Sequence, residues 1–126
     1  MSILQLSATD RSPEVAFDFG ANTFVLKGES YPEDVKEFYG PVIGRLEEHF
    51  NALEGATVSF TFEFIYFNSS TAKILMNLFE LLDATAERGN TVTITWAYES
   101  DDDNMEELGE EFGEDLEHAT FKLTTI

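Results

Sequence analysis

Apolar residues recur along this chain with two periods, and the switches between them mark its elements. Val15, Phe17 and Phe19 alternate with polar residues, Gly20-Ala21-Asn22 supplies a turn, and Phe24 and Leu26 resume the alternation, which predicts a β-hairpin. Residues 1–12 carry no such commitment and read as a flexible leader, although Ile3, Leu4 and Leu6 offer a short edge strand. From Val35 onward, Phe38, Val42, Leu46, Phe50 and Leu53 keep a helical period. Gly40-Pro41 interrupts it, so a kink or two short helices sharing a face are expected. Ahead of that segment Ser30 and Glu33 have capping-box spacing, and Pro32 suits a first helical turn.

Gly55 closes the helix, and residues 56–67 read as a central strand. Val58, Phe60, Phe62, Phe64 and Tyr66 fall on one face; Ser59, Thr61 and Glu63 begin the other, which turns apolar at Ile65 and Phe67. The period then lengthens again, with Ile74, Leu75, Leu78, Phe79 and Leu82 at core-facing spacing, until Gly89-Asn90 stops the helix. Val92, Ile94, Trp96 and Tyr98 alternate with Thr91, Thr93 and Thr95. Asp101-Asp102-Asp103-Asn104 can cap a helix whose Met105, Leu108 and Phe112 face the core, with Gly109 and Gly113 weakening it by about 1 kcal/mol each. Phe121 and Leu123 suggest a last short strand.

The order is hairpin, helix, strand, helix, strand, helix, strand. It predicts an α/β domain spanning residues 1–126, a single mixed sheet with helices packed on it and at least one right-handed parallel crossover across residues 56–97.

Composition adds three constraints. A hydrophobic content of 43% with 12 Phe in 126 residues argues for a folded core. No run is long and apolar enough for a transmembrane helix, and MSILQLSATDRSPE has no basic region followed by an apolar stretch, so no membrane insertion and no secretory signal are expected. The absence of cysteine excludes disulfides, thiolate chemistry and Cys-ligated metals, and fits a cytoplasmic location. Charge is the most distinctive property. Only 7 Lys and Arg offset 25 Asp and Glu, for a net charge of −18. Such a surface repels nucleic acid and anionic lipid and favours a partner with a basic face. General solubility or a salty habitat would account for it equally.

Chemistry concentrates at one place. The central strand runs into Asn68 and three hydroxyls, Ser69, Ser70 and Thr71, at the start of the following helix. Asn68 and Ser69 are good N-cap types, and exposed first-turn N–H groups at the positive end of the helix dipole favour an anion. The cluster is therefore either a plain helix cap or a phosphoacceptor. No nucleophile elbow, phosphate-binding glycine loop or HExxH pair occurs, and no cofactor is implied. The acidic segment 99–117 lacks the calcium-loop spacing, so it reads as a solvated, helix-capping run rather than a metal site. His49 reads as a surface residue or dipole partner at a helix end, and His118 as structural or exposed.

With these stretches in view, the chain resembles the SiaC family of bacterial regulatory phosphoproteins, whose fold is like that of anti-sigma-factor antagonists (STAS-like). The resemblance rests on G-E-S-Y-P-E at 28–33, Y-F-N-S-S-T-A-K at 66–73, L-L-D at 81–83, W-A-Y at 96–98 and E-L-G-E-E-F-G-E-D at 107–115. It implies a non-enzymatic switch. A serine/threonine kinase and a PP2C-type phosphatase set the state of a hydroxyl, and the unphosphorylated form binds and activates a diguanylate cyclase. The family's acceptor directly follows Asn, which places it at Ser69, with Ser70 and Thr71 as rivals. A family example carries Thr there, and this chain departs from it by one methyl. Asn68 and Lys73, the latter at i+4, would neighbour the phosphate. Tyr31 and Tyr66 belong either to a partner-facing surface near that switch or to aromatic packing at the element ends. The alternative is a STAS-like module that binds a protein or small molecule without phosphorylation, to be favoured if Ser69 is buried and engaged as the N-cap.

Overall fold

The computed structural model describes residues 3–126. Six strands form one sheet: β1 (Ile3–Leu6), β2 (Glu14–Asp18), β3 (Thr23–Ser30), β4 (Thr57–Phe67), β5 (Thr91–Tyr98) and β6 (Thr120–Thr125). Three helices, α1 (Val35–Asn51), α2 (Ser69–Glu87) and α3 (Asp103–Glu114), connect the last four strands. Strand order follows chain order, with β1–β2 and β2–β3 antiparallel and every later pair parallel. The mixed α/β sheet read from the alternation is present. Of the expected leader, Met1 and Ser2 lie outside the described residues, whereas Ile3–Leu6 pairs with β2 as the edge strand.

Sequential parallel neighbours joined by right-handed crossovers place every helix on the same side of the sheet. α1 touches α2, and α2 touches α3, as a single layer requires. One sheet face is therefore core: Val15, Phe17, Phe24, Leu26, Val58, Phe60, Phe62, Ile94 and Trp96 are buried there. The other face carries no helix. Parallel strands covered on both sides read as continuous apolar runs. Here Ser59, Thr61, Thr93, Thr95 and a partly exposed Lys27–Glu63 ion pair of 3.4 Å line the uncovered face, which explains the clean alternation in β4 and β5.

Several local expectations change. α1 is one helix from Val35 to Asn51 with Pro41 inside it, not two. Proline removes a single backbone hydrogen bond there, while Tyr39, Val42, Leu46 and Phe50 all bury on one side, so packing outweighs the break. Its cap is Asp34, whose carboxylate accepts the Glu37 N–H at 3.0 Å; Ser30 belongs to β3 and caps nothing. His49 lies in the last turn of α1, at the helix end as expected, but is half-buried rather than on the surface. Its Nε2 lies 2.6 Å from Asn22 Oδ1, its ring sits edge-on to Phe19, and burial lowers its pKa and favours the neutral ring.

The glycines of α3 do more than weaken a helix. A Cβ on Gly109 would meet the Trp96 indole, 2.7 Å from its Nε1, and one on Gly113 would lie 2.6 Å from Phe121 Cδ2. Their bare backbone lets α3 lie directly on β5 and β6, where Trp96 Nε1–H donates to the Met105 carbonyl at 3.0 Å. Met105 is buried, and Leu108 and Phe112 pack against the core as their spacing predicts.

Candidate functional site

Tyr66 is not on the core face. Gly28 pairs with Phe64 and Glu29 with Tyr66, so Ile65 has no partner on β3 and forms a β-bulge. One extra residue reverses the sidedness of everything after it. Phe67 turns inward against Phe64, Trp96 and Phe112, while Ile65 and Tyr66 stand 60% and 51% exposed. Tyr66 meets Tyr31 edge-on with ring centroids 5.8 Å apart. The aromatic packing expected of the two tyrosines is present, and Tyr66 still presents half its surface. Ile65 and Tyr66 also flank a shelf whose opposite side is the start of α3, around Asn104 and Leu108.

The bulge delivers the chain directly into α2. Asn68 is extended, its N–H donates to the Ser30 carbonyl at 3.1 Å, and its Oδ1 accepts the Thr71 N–H at 2.9 Å. Asn68 is therefore the N-cap, which puts Ser69, Ser70 and Thr71 at the first three helical positions.

The three hydroxyls have different fates. Thr71 is fully buried; its Oγ1 donates to the Ser30 carbonyl at 3.1 Å and lies 2.9 Å from Ser30 Oγ, itself 2.6 Å from the Tyr39 hydroxyl. Each hydroxyl has one proton to give. The order Tyr39 to Ser30 Oγ, Ser30 to Thr71 Oγ1, Thr71 to the Ser30 carbonyl satisfies all three. Burial pushes the Tyr39 phenol up to about 12, against a smaller opposing effect of its Ser30 hydrogen bond, so it stays a donor. Ser69 and Ser70, by contrast, are exposed, as is Lys73 one turn on. The first turn of α2 holds no acidic residue, whereas the first turns of α1 and α3 contain Glu37 and Asp103 with Glu106. In a chain of net charge −18, the positive end of this dipole is left uncompensated.

Asp83, near the other end of α2, is a structural residue that periodicity does not reveal. Its Oδ1 accepts the N–H groups of His118 at 2.8 Å and Ala119 at 2.9 Å, with Glu117 at 3.2 Å, and so fixes the entry to β6. Partial burial on its own would raise this carboxyl, but the backbone donors outweigh it and leave it below its ordinary value. A carboxylate set within the apolar stripe of α2 was the available signal. Among the described residues, no group of three His, Asp or Glu comes together as a metal site, and no helix is long and apolar enough to cross a membrane.

Sheet, helix layer and hydroxyl-tipped helix start define a small α/β protein of the STAS-like class, with its outward chemistry at the carboxyl end of the central strand. Residues 6–126 match the family model described as SiaC family regulatory phosphoprotein. An uncharacterized protein of Pseudomonas aeruginosa (strain UCBPP-PA14) is 32% identical over 115 residues, covering 91% of this chain and 90% of that one. The crystal structure of apo-SiaC from Pseudomonas aeruginosa superposes with a TM-score of 0.88 at 31% identity, covering 98% of this chain and 99% of that one. SiaC crystallised as the activator of the diguanylate cyclase SiaD, also from Pseudomonas aeruginosa, gives 0.91 at 28% identity with coverage of 98% and 99%. The chain belongs to the SiaC family of regulatory phosphoproteins, which are regulators and not enzymes.

Proposed function

We propose that this protein is a phosphorylation-controlled switch whose acceptor is Ser69, set by a serine/threonine kinase and reset by a PP2C-type phosphatase. Its unphosphorylated form binds and activates a diguanylate cyclase in the cytoplasm. The observation that carries the reading is the division of labour at the start of α2. Capping falls to Asn68 and anchoring to buried Thr71, while the exposed Ser69 hydroxyl has neither duty. That arrangement speaks against a module in which Ser69 is merely the cap. Burial of the Thr71 hydroxyl disfavours it as an acceptor, so Ser70 is the stronger rival. The cyclase partner is suggested by the similar SiaC that activates SiaD.

A phosphate on Ser69 adds about −1.5 to −2 charges where the dipole tolerates them, within reach of Lys73 at i+4. The helix stays folded. What changes is the surface: Lys73 turns to the phosphate, and charge and bulk appear beside Tyr66. Site mapping on protein from its native cells, beside a Ser69→Ala copy, tests the acceptor. A single phosphate absent from the Ala copy is expected; a phosphate that persists there moves the site to Ser70. Unmodified wild-type protein under several growth conditions would overturn the switch. Circular dichroism of the phosphorylated form should match that of the unmodified form while cyclase activation is lost.

A further inference from the structure

α2 and α3 leave a groove between them. Met76, Phe79, Phe112 and Leu116 give it an apolar floor, and Met76 is 53% exposed on a surface otherwise dominated by carboxylates. The exposed Glu80, Glu111 and Asp115 stand along its rim. The cavity measures about 120 Å³. Small-molecule sites occupy about 300–1,000 Å³, whereas a cavity of roughly 150 Å³ holds a single benzene. The space therefore suits one side chain, not a cofactor.

We propose that this groove docks a basic amphipathic helix of a protein partner. One large apolar anchor fills the cavity, and flanking Lys or Arg residues meet the rim. Charge selects this occupant. Nucleic acid and acidic peptides are repelled by three clustered carboxylates in a chain of net charge −18, and a second copy would bring its own carboxylates against them. A cationic helix with an apolar stripe matches both floor and rim. Asp83 borders the same groove, but its carboxylate is committed to the backbone of residues 117–119, so Glu80, Glu111 and Asp115 supply the contacts.

The proposal rests on the chain being a protein-binding regulator, and not on Ser69 being modified. Ser69, Lys73, Met76 and Glu80 follow one stripe of α2, at i, i+4, i+7 and i+11. Met76 thus lies about 10 Å along the axis from Ser69, beyond a Debye length of about 8 Å at physiological salt. Docking then has two zones, a salt-sensitive groove and a phosphate-sensitive end around Lys73 and Tyr66.

The test uses unmodified full-length protein and a labelled helical peptide of about five turns, Leu on one face and Lys elsewhere, read by fluorescence anisotropy at about 0.15 M salt. Two comparison peptides replace Lys with Glu or Leu with Ser. The decisive variant is Met76→Asp, on an exposed position that folding tolerates. If attraction is charge alone, the added carboxylate tightens binding; if the groove holds an apolar anchor, binding weakens by about tenfold or more. Glu80→Gln and Glu111→Gln should each weaken it severalfold, Glu47→Gln and Glu48→Gln on α1 should not, and Ser69→Ala should leave it unchanged. The proposal is overturned by an undiminished Met76→Asp, by equal binding of the Ser–Lys or Leu–Glu peptide, by equal loss in the α1 variants, or by no binding to wild type. None of these outcomes bears on whether Ser69 carries phosphate.

Discussion

With Tyr39 donating to Ser30 Oγ and Ser30 donating to Thr71 Oγ1, the three hydroxyls form a chain in the buried interior under the start of α2. Removing the Ser30 hydroxyl breaks two hydrogen bonds and leaves the buried Tyr39 hydroxyl with no acceptor, while Thr71 keeps the Ser30 carbonyl. Removing the Tyr39 hydroxyl breaks one and leaves no donor stranded. Ser30→Ala should therefore cost about 2–3 kcal/mol and Tyr39→Phe about 1 kcal/mol in denaturant unfolding, and equal costs would contradict the donor order. His49 gives a second prediction at this scale. Burial holds its folded pKa below the ordinary 6.5, so the unfolded chain takes up the proton first as pH falls. Its contribution is complete above about 6.5 and declines below it. Wild type should lose more Tm than His49→Gln between pH 7.5 and 5.5, where carboxylates stay ionised; parallel losses would show that the imidazole does not matter. Neither arrangement was legible in the sequence. Ser30 looked like a cap because spacing reports neighbours along the chain, while its partners lie 9 and 41 residues away.

Whole elements were more legible, because period 2 and period 3.6 survive any packing arrangement. Every strand and helix of the alternation is present, and what changed was where local rules met tertiary contact. α3 shows the conflict most plainly. Propensity alone says that Gly109→Ala gains about 1 kcal/mol. The new methyl would instead press into the face of a fixed, hydrogen-bonded Trp96, and overpacking costs about 1–3 kcal/mol. We expect a net loss of up to about 2 kcal/mol in chemical denaturation. A stabilised Gly109→Ala protein would mean that α3 slides on the sheet. The bulge escaped notice for a related reason. Phe64-Ile65-Tyr66-Phe67 is an unbroken apolar run, and such a run does not reveal where alternation resets.

Across the molecule, 25 acidic residues confront 7 basic ones. The compact fold holds like charges closer than the unfolded chain does, so added salt should relieve more repulsion in the folded state. Tm should rise from low salt to about 0.5 M NaCl, where the Debye length falls to about 4 Å; a flat or falling Tm would mean that the few ion pairs outweigh the repulsion. The bulge at Ile65 acts on the same scale over a longer span of time. Up to Phe64, each inward residue of β4 is judged by how well it fills the interior. At Ile65 and Tyr66 that judgement is suspended, because the extra residue has turned both outward and passed the interior role to Phe67. Substitutions at those two positions therefore weigh less on the interior than substitutions at Phe60, Phe62 or Phe64, so this stretch of the strand is freer to change than the rest.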